Sequence, residues 1–149
     1  MTRNAWTDRG LLLLRAGLGI VFMAHGLQKL LVLGVAGVAG FLTQLGVPFP
    51  GVNAALLIGT ELIGGLLIAT GGLTRLAAAA TAFAMLVATV LVHVPNGFFL
   101  PNGYEFTMML GVASTALVMT GAGRYSIDAR LARQETTASH AATGLPRAA

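Results

Sequence analysis

The sequence predicts an all-α membrane protein: a bundle of four transmembrane helices with both termini in the cytoplasm. Of its 149 residues, 56% are apolar and only 9% are charged, and the mean hydropathy is +0.81. Soluble domains carry about 25% charged residues. Several apolar runs reach the roughly 20 helical residues that cross a bilayer. The lysines and arginines outside these runs fall on one side of the membrane, which sets the orientation.

The predicted membrane domain covers residues 11–123. Its spans are predicted at about 11–33, 52–73, 76–94 and 105–122. The polar residues 1–10 precede the first span as a cytoplasmic N-terminus. Residues 34–51 contain too many glycines and prolines for a span, and their middle, 39–45, is predicted to form a short helix in the membrane interface.

The third and fourth spans are separated by two Pro-Asn-Gly turns, at 95–97 and 101–103. After the fourth span, residues 124–149 are predicted to form a cytoplasmic tail. Ser126 can cap a short amphipathic helix that ends at Arg133. The remainder is rich in alanine, threonine and polar residues, and it is predicted to be mostly disordered.

The positions of the arginines give the orientation. The connections 34–51 and 95–104 contain no lysine or arginine, whereas the termini and the turn between the second and third spans do. The arginines outside the spans are Arg3, Arg9, Arg75, Arg124, Arg130, Arg133 and Arg147. By the positive-inside rule, both termini are cytoplasmic.

Composition also excludes functions. The sequence pI is near 10.8, but the basic residues are scattered and form no aromatic-studded basic patch, so nucleic-acid binding is not expected. The chain has no cysteine. That excludes disulfides, thiol redox chemistry and cysteine-ligated clusters. Any electron transfer would belong to a bound cofactor or a partner.

Five ionisable residues are predicted to share one polar site in the outer half of the membrane. His25 and Lys29 lie four residues apart on one face of the first span. By helical rise, Lys29 is roughly 6 Å below the outer surface, His25 about 12 Å and Glu61 about 13 Å. His93 ends the third span and Glu105 begins the fourth, so both lie at the outer boundary. Buried ionisable groups are expected to face the bundle interior and to have partners.

Arg15 is the exception in depth. It is spaced by sevens with Phe22 and Lys29 along one face of the first span, so it points to the same interior from the cytoplasmic side. It is interpreted as a snorkelling residue, or as a partner of Asp8 or Asp128, and as secondary to the outer site.

Several short motifs follow one another over about 14–128, and by their order and spacing the chain resembles the DoxX family of small bacterial membrane proteins. The resemblance implies a four-span bundle in the bacterial cytoplasmic membrane, linked to membrane oxidoreductase systems. Members of that family resemble a subunit of thiosulfate:quinone oxidoreductase or are proposed partners in oxidative-stress complexes. The motifs are Arg15 with Gly19, His25-Gly26 to Lys29, 46–50 (GVPFP), Glu61 with Gly64-Gly65, Thr74-Arg75, His93 with Gly97, 103–105 (GYE) and 123–128 (GRYSID).

Two interpretations of the polar residues stay open. Lys29 and Glu61 can form a structural ion pair between the first two spans, or they can hold a quinone headgroup, with His25 or a carboxylate carrying protons. A haem between His25 and His93 is disfavoured because their depths differ. No His-x-x-x-His or Glu-x-x-His pair is present, so no metal site is expected.

The first functional hypothesis is a quinone-interacting membrane component of an oxidoreductase system, acting with a redox enzyme partner. It is a subunit or accessory protein in this hypothesis, not an autonomous enzyme, and a quinone is its one expected, noncovalent cofactor. The alternative is a non-catalytic scaffold that recruits a cytoplasmic partner through residues 124–133. A transporter ranks last because the halves show no inverted repeat. A homo-oligomer in the bilayer remains compatible with both.

Overall fold

A computed structural model describes residues 4–143, and within that range all regular structure is helical. The predicted four-helix membrane bundle is confirmed: three helices are long and apolar enough to cross a membrane, and a fourth apolar helix is shorter. The helices are α1 (Ala5–Gln28, continued by a π-helical turn, Lys29–Leu33), α2 (Gly34–Gln44), α3 (Pro50–Thr70), α4 (Thr74–Asn96), α5 (Glu105–Thr120) and α6 (Ile127–Thr143).

Helix α1 begins before the predicted first span. Asn4 is its N-cap, and the Asn4 side chain accepts a hydrogen bond from the backbone N–H of Trp6 at 2.6 Å. A side-chain oxygen at this position satisfies a donor that the first turn leaves free, so the helix starts at Ala5 and not at residue 11. Residues 1–3 lie outside the described residues.

The glycine-rich stretch after α1 is more helical than expected. Helix α2 starts at Gly34, five residues before the predicted interfacial helix. The chain changes direction at Gly34, whose φ of 67° and ψ of 164° are readily adopted by glycine. Val38 then packs with Ala54 and Ile58 of α3. Because tertiary packing supplies most helical stability in proteins, this contact offsets the weak helix propensity of the glycines.

The bundle places α1 against α3, α3 against α4, and α4 against α5. The contact between α1 and α3 is close: a Cβ added at Gly19 would lie 2.5 Å from the Gly65 carbonyl oxygen. Between α4 and α5, the buried Thr81 hydroxyl donates to Ser114 Oγ at 3.2 Å. Small residues let membrane helices approach and hydrogen-bond in this way. Gly65, from the motif of Glu61 with Gly64-Gly65, therefore lies against the backbone of α1.

The tail contradicts one expectation. Ser126 caps α6, because its Oγ accepts a hydrogen bond from the N–H of Ala129 at 3.1 Å. The helix then continues to Thr143, so the expectation of disorder after Arg133 is wrong for 134–143. Alanine has the highest helix propensity, and the threonine hydroxyls of this stretch bond carbonyls one turn back. Residues 144–149 of the predicted disordered segment lie outside the described residues.

Two ends of the bundle are distinguished below. The Lys29 end is where α1 ends, α3 begins, α4 ends and α5 begins. The Arg15 end is where α1 begins, α3 ends, α4 begins and α5 ends, and helix α6 follows it.

Candidate functional site: a buried ion pair between α1 and α3

Lys29 and Glu61 meet directly inside the bundle. Lys29 Nζ lies 2.8 Å from Glu61 Oε1 and 2.8 Å from Oε2, so one ammonium serves both carboxylate oxygens. The Glu61 side chain is 3% exposed and that of Lys29 is 24% exposed. The carboxylate is therefore sealed by protein, while the ammonium keeps an accessible side.

Both members of the pair lie in π-helical turns. Lys29 is the first residue of the turn that ends α1, and Glu61 is the second residue of the turn Thr60–Gly64 within α3. A third π-helical turn, Thr89–His93, ends at His93 in α4. Such turns are rare, occur mostly as single turns within α-helices, and frequently lie at functional sites. Sequence reasoning missed these turns, because nothing in the residue pattern distinguishes an i to i+5 turn from an α-helical one.

Gly26 explains how the lysine reaches the carboxylate. A Cβ added at Gly26 would lie 2.8 Å from Leu62 Cγ and 3.1 Å from Glu61 Cβ. Gly26 is buried, and only a residue without a side chain lets α1 approach this turn of α3. The glycine in the His25-Gly26 motif therefore positions Glu61 against α1.

His25 lies beside the pair without bonding to it. Its ring is half buried, and the ring centroid is 5.9 Å from that of Phe106, at an interplanar angle of 49°. Within the described residues it makes no hydrogen bond to Lys29 or Glu61. The imidazole nitrogens are thus free for another partner, with an aromatic wall on one side.

His93 and Glu105 bind the connection between α4 and α5. His93 Nδ1 lies 2.9 Å from the Asn102 carbonyl oxygen, and Glu105 Oε1 accepts a hydrogen bond from the Leu100 N–H at 2.8 Å. Because a carbonyl only accepts, Nδ1 carries the proton and Nε2 of a neutral His93 is left as an acceptor. These hydrogen bonds hold the connection of residues 97–104, which lies at the Lys29 end, to the helices on either side of it.

Of the five predicted site residues, the structure joins two directly. Lys29 and Glu61 bond each other, His25 contacts the residue that follows Glu105, and His93 shares the connection with Glu105. Membership of one ligand site remains a prediction for all five. Among the described residues, no group of three or more His, Cys, Asp or Glu side chains is placed to hold a metal ion.

Arg15 lies at the opposite end and is fully buried. Its exposed fraction is 0%, so the interpretation as a snorkelling residue is wrong. Its Nη2 donates a hydrogen bond of 2.5 Å to the Tyr125 carbonyl oxygen, and Asp128 interacts with it electrostatically, as one of the two expected partners. Asp8, the other, instead accepts a hydrogen bond from the Arg124 N–H at 3.0 Å. The Tyr125 carbonyl was missed because backbone groups leave no sequence signal.

The fold and the site together define a class: a small four-helix membrane protein whose first two spans are joined by a buried lysine–glutamate pair. The family model of DoxX matches residues 10–94. The match covers more than half of the chain and spans both members of the pair. The chain belongs to the DoxX family, which confirms the resemblance drawn from its motifs.

Two relatives extend over most of the chain. "Putative oxidoreductase CatD" of Bacillus subtilis (strain 168) is 33% identical over 125 residues, which is 84% of this chain and 89% of that protein. "Uncharacterized membrane protein Rv3486" of Mycobacterium tuberculosis (strain ATCC 25618 / H37Rv) is 31% identical over 136 residues, 83% of this chain and 82% of that protein. No solved structure matches the chain significantly.

Proposed function

We propose that the protein is a quinone-interacting membrane component of an oxidoreductase system. It acts in the bacterial cytoplasmic membrane, with both termini in the cytoplasm, and works with a redox enzyme partner. The observation that carries the proposal is the Lys29–Glu61 pair: a charge pair held inside an apolar bundle, with the lysine left partly accessible. Intramembrane ionisable residues are costly to bury and mark functional sites by default.

Lys29 has the donor that a quinone carbonyl needs. An ammonium group carries three N–H donors, and two of them face the Glu61 oxygens. The third is free to donate to a carbonyl oxygen from the accessible side. Phe106 is 38% exposed and lies next to His25. The Phe106 ring offers an apolar surface beside the His25 imidazole, against which a flat quinone headgroup can pack.

Glu61 and His25 supply acid–base groups. Reduction of a quinone to a quinol consumes two electrons and two protons. The His25 imidazole can exchange a proton with the headgroup directly, whereas a proton to or from the buried Glu61 carboxylate passes through the Lys29 ammonium that it contacts. The chain has no cysteine, so the electrons come from the partner enzyme in this proposal. The relative from Bacillus subtilis carries oxidoreductase in its name, which supports the same class of system.

Quinone titration of the purified protein in nanodiscs tests the proposal. Menaquinone and ubiquinone are added separately, and binding is measured by the change in quinone absorbance or by retention. Lys29→Met removes the donor and Glu61→Gln removes the charge that orients it. We expect each variant to weaken binding by about tenfold or more, the worth of one hydrogen bond to a charged group.

Glu135→Gln is the matched control. Glu135 is an exposed carboxylate on α6, so its replacement removes the same charge without touching the pair. We expect its affinity for quinone to equal that of the wild type. If neither quinone binds, or if all three variants bind as the wild type does, the pair serves packing alone and the proposal is wrong.

A further inference from the structure

The Arg15 end exposes cations and hides carboxylates. Five arginines are exposed there. Asp8 is 4% exposed. The two carboxylate oxygens of Asp128 accept hydrogen bonds from the N–H groups of Leu73 at 2.7 Å and Thr74 at 3.0 Å, at the start of α4. Within the described residues, Glu135 is the one exposed carboxylate after the fourth span. The exposed arginines are Arg9, Arg75, Arg124, Arg130 and Arg133.

Two of these arginines line a groove of about 750 Å³ formed by the start of α4, the end of α5 and the start of α6. Arg75 lies on its α4 side, where a Cβ added at Gly121 would be 3.3 Å from Arg75 Nε. Arg124 lies on its α6 side, with its guanidinium 5.9 Å from the Tyr125 ring centroid. In the part of the chain that the structure describes, neither guanidinium has an ion pair.

The rest of the lining is mainly apolar. Its polar members are Thr74, Thr120, Ser126 and Asp128, and the two Asp128 carboxylate oxygens already accept the N–H groups of Leu73 and Thr74. Leu73 and Leu76 line it and are 63% and 69% exposed, so the groove opens onto the lipid-facing surface of the bundle. Thr74 also lines it, and the Thr74 hydroxyl is buried without a hydrogen-bond partner in the described residues. A ligand that fills this groove therefore needs a negative head between two arginines and an apolar body along the leucines.

We infer that this groove binds the phosphate headgroup of an anionic phospholipid. Arg75 and Arg124 hold the phosphate, and the exposed leucines hold the start of the acyl chains. The groove is lined by the first residues of one spanning helix and the last residues of another, so it lies at the level of the membrane surface, where phospholipid headgroups already are. Basic pockets between helices at this level recognise lipid phosphates. A soluble protein partner would have to displace those lipids to reach it.

Native mass spectrometry of the purified protein tests the inference. Phosphatidylglycerol and phosphatidylcholine, which have similar chains but different net charge, are titrated separately into detergent-solubilised protein, and the lipid-bound fraction is measured. We expect the wild type to prefer phosphatidylglycerol. The double variant Arg75→Gln/Arg124→Gln should lose about 100-fold or more in affinity for phosphatidylglycerol, since each arginine loses a charge-assisted hydrogen bond to the phosphate that is worth about tenfold or more. Its binding of phosphatidylcholine, whose choline offsets the charge of the phosphate, should fall by less than its binding of phosphatidylglycerol. An unchanged helical circular dichroism spectrum and thermal midpoint show that the fold persists.

Arg9→Gln/Arg130→Gln is the charge-matched control. It removes two exposed arginines from the same end, but neither residue lines this groove. We expect a loss below about threefold. An equal loss in both double variants would show diffuse attraction to the whole basic end and would overturn the assigned site. An equal preference of the wild type for the two lipids would overturn it as well.

Two further measurements test whether the groove binds free phosphate or a protein instead of a lipid. Inorganic phosphate at millimolar concentration should not displace phosphatidylglycerol, because it lacks the acyl chains that the leucines hold. Full displacement would assign the groove to a free anion and overturn the lipid assignment. If Arg75→Gln/Arg124→Gln binds phosphatidylglycerol as tightly as the wild type does, the arginines serve another kind of partner, such as a protein, and the inference is equally wrong.

Discussion

Helix α1 carries two cations, Arg15 and Lys29, that bond other parts of the bundle, and the protein holds them in different ways. Lys29 contacts both carboxylate oxygens of Glu61 on α3 at 2.8 Å. Arg15 donates to the backbone carbonyl of Tyr125 at 2.5 Å and has no carboxylate within ion-pair distance in the described residues. The first cation is neutralised by an acid, whereas the second is held by a dipole and by the more distant charge of Asp128.

Under the proposed function, the difference separates a chemical role from a mechanical one. Lys29 is 24% exposed, so its ammonium can be reached from outside the bundle, as the proposed function requires. Arg15 is 0% exposed, and its partner is a carbonyl that cannot titrate. Its hydrogen bond crosses from α1 to the segment that leads into α6. Arg15 therefore fixes the start of α6 to the bundle.

The largest effect is expected from breaking the pair at the Lys29 end. Glu61→Leu leaves the Lys29 ammonium without a partner inside the bundle, and removing one partner of a buried pair costs about 3–5 kcal/mol. The double variant Lys29→Met/Glu61→Leu should recover most of that loss, because no charge is then left unpaired. Equilibrium unfolding in detergent, analysed as a double-mutant cycle, measures both.

Glu135→Leu is the control for that cycle. Glu135 is exposed, and its replacement should change the free energy of unfolding by less than about 0.5 kcal/mol. A loss below about 1 kcal/mol for Glu61→Leu would mean that Lys29 finds another partner or reaches water. In that case Lys29, like Arg15, would not depend on a carboxylate partner, and the contrast between the two cations would fail.

Depth counting predicted much of the Lys29 end, since a helix rises by a fixed distance per residue. Depth counting puts Lys29 at roughly 6 Å and Glu61 at about 13 Å from the same surface, and the structure joins them. Depth does not fix the direction of a side chain, however. His93 and Glu105 were placed at the correct end, but each bonds the backbone of the connection at 97–104. Whether they share a ligand with Lys29 and Glu61 remains a prediction.

The Arg15 end was less predictable for a physical reason. Hydropathy and charge locate spans and arginines, but the partner of Arg15 is a backbone oxygen 110 residues away. Every residue has such an oxygen, so no residue type marks it. The length of α6 was underestimated for a related reason: polar composition indicates exposure, which is correct for 131–139, but alanine-rich polar segments can be helical and exposed at once.

A smaller effect is expected from Arg15→Gln. The variant loses a hydrogen bond from a charged donor to the Tyr125 carbonyl, worth about 2–3 kcal/mol. Because that bond fixes the start of α6, amide hydrogen exchange should accelerate at residues 126–129 more than at the Lys29 end. Arg9→Gln, on the exposed face of the same helix, is the matched control and should leave exchange unchanged. Uniform acceleration along the chain would show that Arg15 supports the whole bundle and not one segment.

The smallest effect is expected between the two ends, at Gly19. A Cβ there would lie 2.5 Å from the Gly65 carbonyl oxygen and 2.9 Å from the Ala69 amide nitrogen. Because these are backbone atoms, Gly19→Ala has to move α1 away from α3, at a cost of about 1–3 kcal/mol. Gly17→Ala is the control: nothing lies within 4 Å of its Cβ position, and alanine in a helix interior is favoured by about 0.5–1 kcal/mol over glycine.

Gly19→Ala also decides whether the two ends are independent. Gly19 lies between Arg15 and Lys29 on α1, and its contact, Gly65, follows the π-helical turn that carries Glu61. Separation of α1 from α3 should therefore weaken the coupling energy of Lys29 and Glu61, measured by repeating the double-mutant cycle in the Gly19→Ala background. Hydrogen exchange at 126–129 should change less, since the contacts of this segment, such as the Asp128 N–H bond to the Gly71 carbonyl oxygen at 2.8 Å, lie beyond the Gly19–Gly65 contact. An equal response at both ends would show that α1 transmits the shift as a rigid rod, and the division into a chemical and a mechanical end would fail.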